Sequence, residues 1–217
     1  MAIIQVIGLR HANAVPPIGT LREDDIHRGL SQLGYSQAER RRKTLEGITF
    51  DHLFCSIAER VIETLELVTC KSRRDFTLLD ELFTPEGRDG EILGKLFSDL
   101  AYAPPSAYKE HELNQRHKTG WKDSPVERLG SEAGITIAER ITSGDDKTIL
   151  VAGHAVFTPL AVEGLVDVML YEGTETVSPY TEEVSAFLDG LNMVEAGAFL
   201  VTFDTTRMVP ATFELFD

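Results

Sequence analysis

Two arginines and two histidines in this chain stand where an α/β sheet offers side chains to a ligand. Arg10-His11 closes the first apolar run, Ile3-Ile4-Gln5-Val6-Ile7-Gly8-Leu9. His154 follows directly on Leu150-Val151-Ala152-Gly153, and Arg60 lies four residues beyond Ser56, which ends the segment Leu53-Phe54-Cys55. Each has the same layout: an apolar strand, an abrupt stop, and a polar residue at the tip. In open α/β sheets ligands bind outside the carboxyl ends of the strands. Gathered around one pocket, this set suits a phosphoryl group. Arginine forks bind phosphate oxygens in a bidentate way and stay charged. A neutral imidazole can attack phosphorus and divide one hard displacement into two easier ones. A second histidine, in cationic form, would stabilise the group in transfer, and a protonated carboxyl would supply the leaving oxygen with its proton.

Positioning those groups is the work of alternating strands and helices. Residues 2–9 have the unbroken apolar character of a buried strand, and a second strand is expected at 50–55, a third at 76–79 and the strongest at 148–152. Helices are expected at about 28–46, 57–70, 126–142 and 156–170, with Pro159 in the first turn of the last. Gly47 suits the end of the first of these helices. Ser56 and Glu59 have the spacing of a capping box, which would start the second. Two further strands are expected at 198–203 and 211–216. This alternation argues for a three-layer α/β/α sandwich with a largely parallel central sheet. The whole chain, 1–217, reads as one domain carrying an insertion or cap at about 84–130, where Gly87, Gly90, Gly94, Pro104, Pro105, Gly120 and Pro125 break the pattern.

Bulk properties narrow the classes. A net charge of −14 and a pI of about 4.8 argue against nucleic-acid binding and require any anion site to create its own local positive field. Two cysteines make neither a disulfide framework nor a zinc site, and Cys55 in its apolar run is expected as a buried, reduced thiol. No window approaches a membrane span, and the first residues lack a signal-peptide pattern, so the expectation is a cytoplasmic protein. Oligomeric state is not legible.

With these residues in place, the chain resembles a known family. Leu9-Arg10-His11-Ala12, Ser56-x-x-x-Arg60-x-x-x-Thr64 and Val151-Ala152-Gly153-His154-Ala155 are similar, in order, to the motifs of the histidine phosphatase superfamily, branch 1. That group contains the cofactor-dependent phosphoglycerate mutases. Arg28-Gly29-Leu30-Ser31-x-x-Gly34-x-x-Gln37-Ala38 also resembles that family's first helix, so the likeness covers roughly 2–82 and 130–170. It implies a phosphoglycerate mutase-like fold, with His11 as the phosphorylated nucleophile and Arg10, Arg60 and His154 as the phosphate pocket. It further implies a proton donor just after the third strand, where Glu81 is the choice and Asp80, Glu86 and Glu91 are alternatives. Ala12 stands where the family usually has glycine, as in the shorter phosphohistidine-phosphatase-like members, and Ala155 follows the second histidine where glycine is frequent. Asn13-Ala14-Val15-Pro16 lacks the polar pattern of a mutase, so a phosphatase acting on a small phosphoester or a phosphoprotein is the favoured reading. It needs no metal and no cofactor. A phosphomutase, and an inactive module that binds phosphate, are the alternatives.

Other polar groups have plainer explanations. Arg40-Arg41-Arg42-Lys43 reads as a solvated helix face. His111 and His117 flank Glu112 without the spacing of a zinc helix, and His27 and His52 are singletons. Thr142-Ser143-Gly144-Asp145-Asp146 is a turn. Tyr102, Tyr108 and Trp121 are expected to pack the insertion against the body. Lys109, Arg116, Lys118 and Lys122 make the insertion locally basic, which would help draw in an anionic substrate.

Overall fold

The computed structural model describes residues 2–19, 22–100, 103–111, 125–141, 145–170, 179–205 and 211–216. Strands β1 (Ile3–Arg10), β2 (His52–Ser56), β3 (Thr77–Leu79), β4 (Lys147–Gly153), β5 (Ala198–Asp204) and β6 (Thr212–Phe216) form one sheet in the order β3-β2-β4-β1-β5-β6. The four strands from β3 to β1 are parallel; β5 runs antiparallel to both β1 and β6. The described α-helices are α1 (Arg22–Ile26), α2 (Gln32–Thr44), α3 (Glu59–Thr69), α4 (Gly87–Leu100), α5 (105–111), α6 (Pro125–Arg140), α7 (Phe157–Leu170) and α8 (Pro179–Asp189), with short 3-10 helices at Arg73–Asp75 and Asp80–Leu82.

Strand residues alternate between the faces of a sheet, and here they feed two cores. Ile4, Val6, Phe54, Ile149 and Val151 pack with α6, α7 and α8. Ile7, Leu9, Leu53, Cys55, Leu150 and Ala152 pack with α2 and α3 on the other side. The expected α/β/α layering is therefore present. Helices α6 and α7 approach so closely that a Cβ on Gly134 would lie 2.3 Å from the Gly164 backbone and one on Gly164 2.5 Å from the Gly130 carbonyl oxygen, which is why both positions are glycine. Burial pushes the Cys55 thiol's pKa up, in keeping with an inert reduced cysteine.

A third apolar cluster joins the 84–130 stretch to the body: Leu93, Leu96, Tyr108, Val126 and Leu129 meet Val156, Phe157 and Leu160 at the start of α7. Tyr108 is fully buried there, as expected. Tyr102, Glu112, Arg116, His117, Lys118, Trp121, Lys122 and residues 142–144 lie outside the described residues. No helix among the described residues is long and apolar enough to cross a membrane.

Two helix starts differ from expectation, for reasons that bear on the site. Helix α2 begins at Gln32 and not at Arg28, because residues 28–31 pair with the loop after β1. Val15 N–H donates to the Gly29 carbonyl and Ser31 N–H to that of Asn13, both at 3.0 Å. Ser31 then caps the helix, its Oγ accepting from Gly34 N–H. Helix α3 begins at Glu59 with Ala58 as its cap and no side-chain capping bond. The expected capping box of Ser56 and Glu59 does not form. The Ser56 hydroxyl is drawn to His154, and Glu59 pairs with Arg73. A capping box forms instead at Ser72 and Asp75.

Candidate active site

Parallel pairing of β1 with β4 places Arg10 opposite Gly153, so His11 and His154 emerge side by side at the carboxyl edge. The chain leaves β1 toward α2 on one face and leaves β4 toward α7 on the other. This makes the gap between them a switch point of the sheet, the usual ligand position. His11 N–H donates to the Gly153 carbonyl at 3.0 Å, and the two imidazole rings meet edge-on with centroids 5.0 Å apart. Ser56, at the end of β2, adds its hydroxyl 3.3 Å from His154 Nε2.

The His11 ring is oriented from behind. Its Nδ1 lies 2.7 Å from the Ala12 carbonyl, which can only accept, so Nδ1 carries the proton. In the neutral ring Nε2 is then left with a lone pair. Burial, aided by the Arg60, Arg10 and Arg28 guanidinium groups, lowers the His11 pKa to about 3. The same causes hold His154 well below the ordinary histidine value. The expected cationic His154 is therefore neutral in the ligand-free site: burial first, and then the guanidinium groups of Arg60, Arg10 and Arg28, disfavour a further positive charge.

The loop after His11 is fixed by the motif residues of two helices. Buried Thr64, one turn beyond Arg60, accepts from Ala12 N–H at 3.0 Å and donates to the Arg60 carbonyl at 2.6 Å. Gln37 accepts from Asn13 N–H at 2.7 Å. Ser31 donates to Asn13 Oδ1, and the Asn13 amide donates to both oxygens of Glu195 at 2.9 and 3.0 Å. Gly34 leaves space for the Asn13 carbonyl, from which a Cβ would be only 2.0 Å away. The spacing Ser31-x-x-Gly34-x-x-Gln37 is thus a clamp on the nucleophile loop.

Arg60 is buried, its guanidinium beside the Phe83 ring at 5.7 Å. Its Nη1 and Nη2 donate to the Asp25 carbonyl at 2.6 Å and the Asp25 carboxylate at 2.8 Å. Arg10 reaches the Met193 carbonyl through Nη1 and adds to the positive field on both histidines. A cavity of about 60 Å³ is lined by Asp25, Arg60, Phe83, Thr84, His154 and Phe157, among others. That is far below the ~300 Å³ at which ligand pockets begin, and His11 and Arg10 are not among its lining residues.

The expected carboxyls are placed less centrally. Glu81 accepts from Thr136 Oγ1 of α6 at 3.2 Å. Asp80 and Glu86 pair with Arg22, and Glu91 is exposed on α4. Lys109 is engaged with Glu163 and Asp189, which raise its pKa, so it is not the free cation expected of the insertion. Sequence reasoning missed Asp25, Arg28 and Phe83. The only signal for Arg28 was its place in the first-helix motif; Asp25 sits in an unremarkable acidic stretch.

The sheet order and the paired histidines at the β1–β4 edge define a phosphoglycerate mutase-like fold. The model of the histidine phosphatase superfamily (branch 1) matches residues 7–183, and the chain belongs to that family. Among solved structures it is similar to the phosphoserine phosphatase of Entamoeba histolytica in complex with 3-phosphoglyceric acid. The two are 14% identical with a TM-score of 0.58, covering 99% of this chain and 97% of the other. A mycobacterial glucosyl-3-phosphoglycerate phosphatase is 13% identical with a TM-score of 0.55, covering 98% of each chain. A protein of Agrobacterium tumefaciens described as the phosphohistidine phosphatase SixA is 18% identical with a TM-score of 0.50, covering 98% of this chain and 95% of the other. At these identities the likeness is one of fold. No curated protein sequence matches the chain.

Proposed function

We propose that this protein is a phosphatase that hydrolyses a phosphomonoester or phosphohistidine through a phosphohistidine intermediate on His11. The observation that carries this reading is the His11 ring itself. Its Nδ1–H is tied to the Ala12 carbonyl, the ring is held neutral, and Nε2 is left as a nucleophile beside His154 and the arginines. Arg10 and Arg60 hold the phosphoryl oxygens, and His154 donates to one of them, taking a proton once the dianion offsets the guanidinium charge. Water then attacks the phosphorylated ring and frees phosphate. The step uses positioning and charge, as phosphoryl transfer generally does.

The alternatives are weaker. A mutase must keep a released product beside the phosphohistidine, and Asn13, the first polar side chain after His11, is committed to Glu195 and Ser31. An inactive binding module would show the same arginines without turnover. The experiment is phosphate release from a panel of generic phosphoesters, with and without a metal chelator, comparing the wild type with His11→Ala. Chelator-resistant release that vanishes in the variant, with acid-labile phosphate trapped on the wild type, is the expected outcome. Full activity in His11→Ala would sink the proposal, and phosphoester binding without release or trapping would favour the inactive module.

A further inference from the structure

Behind His11 the hydrogen bonds continue past the motif residues to the turn that precedes β5. Their hub is the Ala12–Asn13 peptide. Its carbonyl accepts from His11 Nδ1 at 2.7 Å, and its N–H donates to Gln37 Oε1 at 2.7 Å. A backbone N–H can only donate, so the Gln37 amide must present oxygen to it and turn its NH2 group the other way. There Gln37 Nε2 donates to Glu195 Oε2 at 3.3 Å. The two Glu195 oxygens also accept from Asn13 Nδ2 at 2.9 and 3.0 Å, and Ser31 Oγ donates to the oxygen of that same amide. An ionised carboxylate only accepts, so Glu195 fixes the orientation of both side-chain amides at once.

The turn that carries Glu195 is itself tied to the nucleophile. Ala196 has a left-handed backbone conformation (φ 55°), which is uncommon for a residue other than glycine. It is held from two sides: its N–H donates to the His11 carbonyl at 3.1 Å, and its carbonyl accepts from Arg41 Nε at 2.7 Å. Arg41, expected on a solvated helix face, is buried and makes this contact. In the same turn the Met193 carbonyl accepts from Arg10 Nη1. One short segment thus touches Arg10, His11 and Asn13.

We propose that Glu195 is a positioning residue for catalysis: through Gln37 and the Ala12–Asn13 peptide it fixes His11 in the Nδ1–H form whose Nε2 attacks phosphorus. The proposal rests on the phosphohistidine reading above. The order is carboxylate, side-chain amide, peptide, imidazole, and each link leaves the next only one way round. An Nε2-phosphorylated ring that keeps its Nδ1 proton is cationic. A chain of aligned hydrogen bonds ending on a carboxylate stabilises that cation, because the bonds polarise one another and those to an ionised acceptor are stronger. Without the carboxylate the Gln37 amide is free to turn over. Its NH2 group would then face the Asn13 N–H, and the peptide plane that orients the ring would be released.

The test exchanges donor and acceptor between positions 13 and 195, comparing wild type, Glu195→Gln, Asn13→Asp and the double variant Asn13→Asp/Glu195→Gln. Glu195→Gln sets an NH2 group against that of Asn13 or Gln37. It is expected to lower kcat on p-nitrophenyl phosphate by about 10–100-fold, with KM and vanadate affinity little changed because the arginines remain. Asn13→Asp sets two carboxylates face to face and should lose more. In the double variant the new amide can donate to the new carboxylate and still accept from Gln37. Most of the wild-type rate should therefore return, a coupling that the double-mutant cycle reads directly.

The 15N signals of the His11 ring give a second readout. The Nδ1–H form should lose population in Glu195→Gln and regain it in the double variant. An unchanged kcat in Glu195→Gln, losses that simply add in the double variant, or an Nδ1–H population that does not move would each overturn the proposal. Where a single variant melts below the assay temperature, the double variant decides: a folded enzyme near the wild-type kcat supports the proposal, and one that is slow or does not fold overturns it. Failure of the phosphohistidine reading shows separately, as persistent turnover in His11→Ala.

Discussion

The two sides of the pocket are built by different means. The β1–β4 edge is held by backbone register and by buried or half-buried hydrogen bonds: His11 to Gly153, Ala12 to Thr64, Asn13 to Gln37, Ser31 and Glu195. The opposite wall, α1 and the segment after β3, is anchored by the Arg60–Asp25 pair and by buried Leu82 and Phe83, and carries charged groups at its surface. Arg22 reaches Asp80, Glu86 and the Thr84 carbonyl and lies over the Phe83 ring, while Asp80 and Glu86 are mostly exposed. Exposed ion pairs contribute little and are screened by salt. Buried hydrogen bonds are costly to break because the orphaned partner stays dehydrated. The His11 loop is thus fixed by hydrogen bonds, and only the outer, Arg22 part of the opposite wall depends on exposed charges.

The contrast can be broken at its strongest point first. His11→Ala should lower kcat on any phosphoester on the order of 10³-fold or more, since the rest of the pocket cannot replace a nucleophile; single-turnover phosphate release measures it. Thr64→Val removes the partner of the buried Ala12 N–H and should cost about 1–3 kcal/mol in urea unfolding. Activity should fall with it, because the carbonyl that orients the His11 ring belongs to the same residue. Gly34→Ala drives a methyl group into the Asn13 carbonyl and should cost about 1–3 kcal/mol by the same measurement.

Acid stability sharpens the comparison further. Buried His11 is neutral with its pKa lowered to about 3, whereas the unfolded chain binds a proton there near pH 6.5. Below that value the unfolded state holds more protons, so stability is present above pH 6.5 and is lost as the pH falls toward 3. Each such histidine contributes a slope of up to about 1.4 kcal/mol per pH unit. Denaturant midpoints of the wild type should therefore fall more steeply between pH 6 and 4 than those of His11→Gln; parallel curves would contradict a neutral His11. The smallest effect belongs to the opposite wall, where Arg22→Ala should cost no more than about 1 kcal/mol, read as a small shift in melting temperature. A loss comparable to that of Thr64→Val would erase the distinction between the two sides.

Much of this was legible in the residues alone. Buried strands are continuous apolar runs, so β1, β2 and β4 showed themselves, and the residues at their tips followed. Arg10, His11, Arg60 and His154 could be chosen because strand ends converge in a parallel sheet. Helix starts were less legible. The Ser56–Glu59 spacing satisfies the rule for a capping box, but a hydroxyl beside His154 has a second partner that no local pattern reveals. The clamp of Ser31, Gly34 and Gln37 was visible as a motif, without its purpose.

What composition, periodicity and motif order indicated by themselves was the α/β fold, Arg10, His11 and His154 at its strand ends with Arg60 on the helix after β2, and the family to which the chain belongs. Those properties follow from local rules of burial and alternation repeated along the chain. Tertiary structure alone decided that Asp25 faces Arg60, that Glu81 turns to Thr136, that His154 is neutral in the ligand-free site, and that Lys109 is paired. The direction of a charged side chain, and its protonation, depend on which distant groups come within a few ångströms and on how much water is excluded there. Those are facts of three-dimensional packing, with no counterpart in neighbouring residues of the sequence.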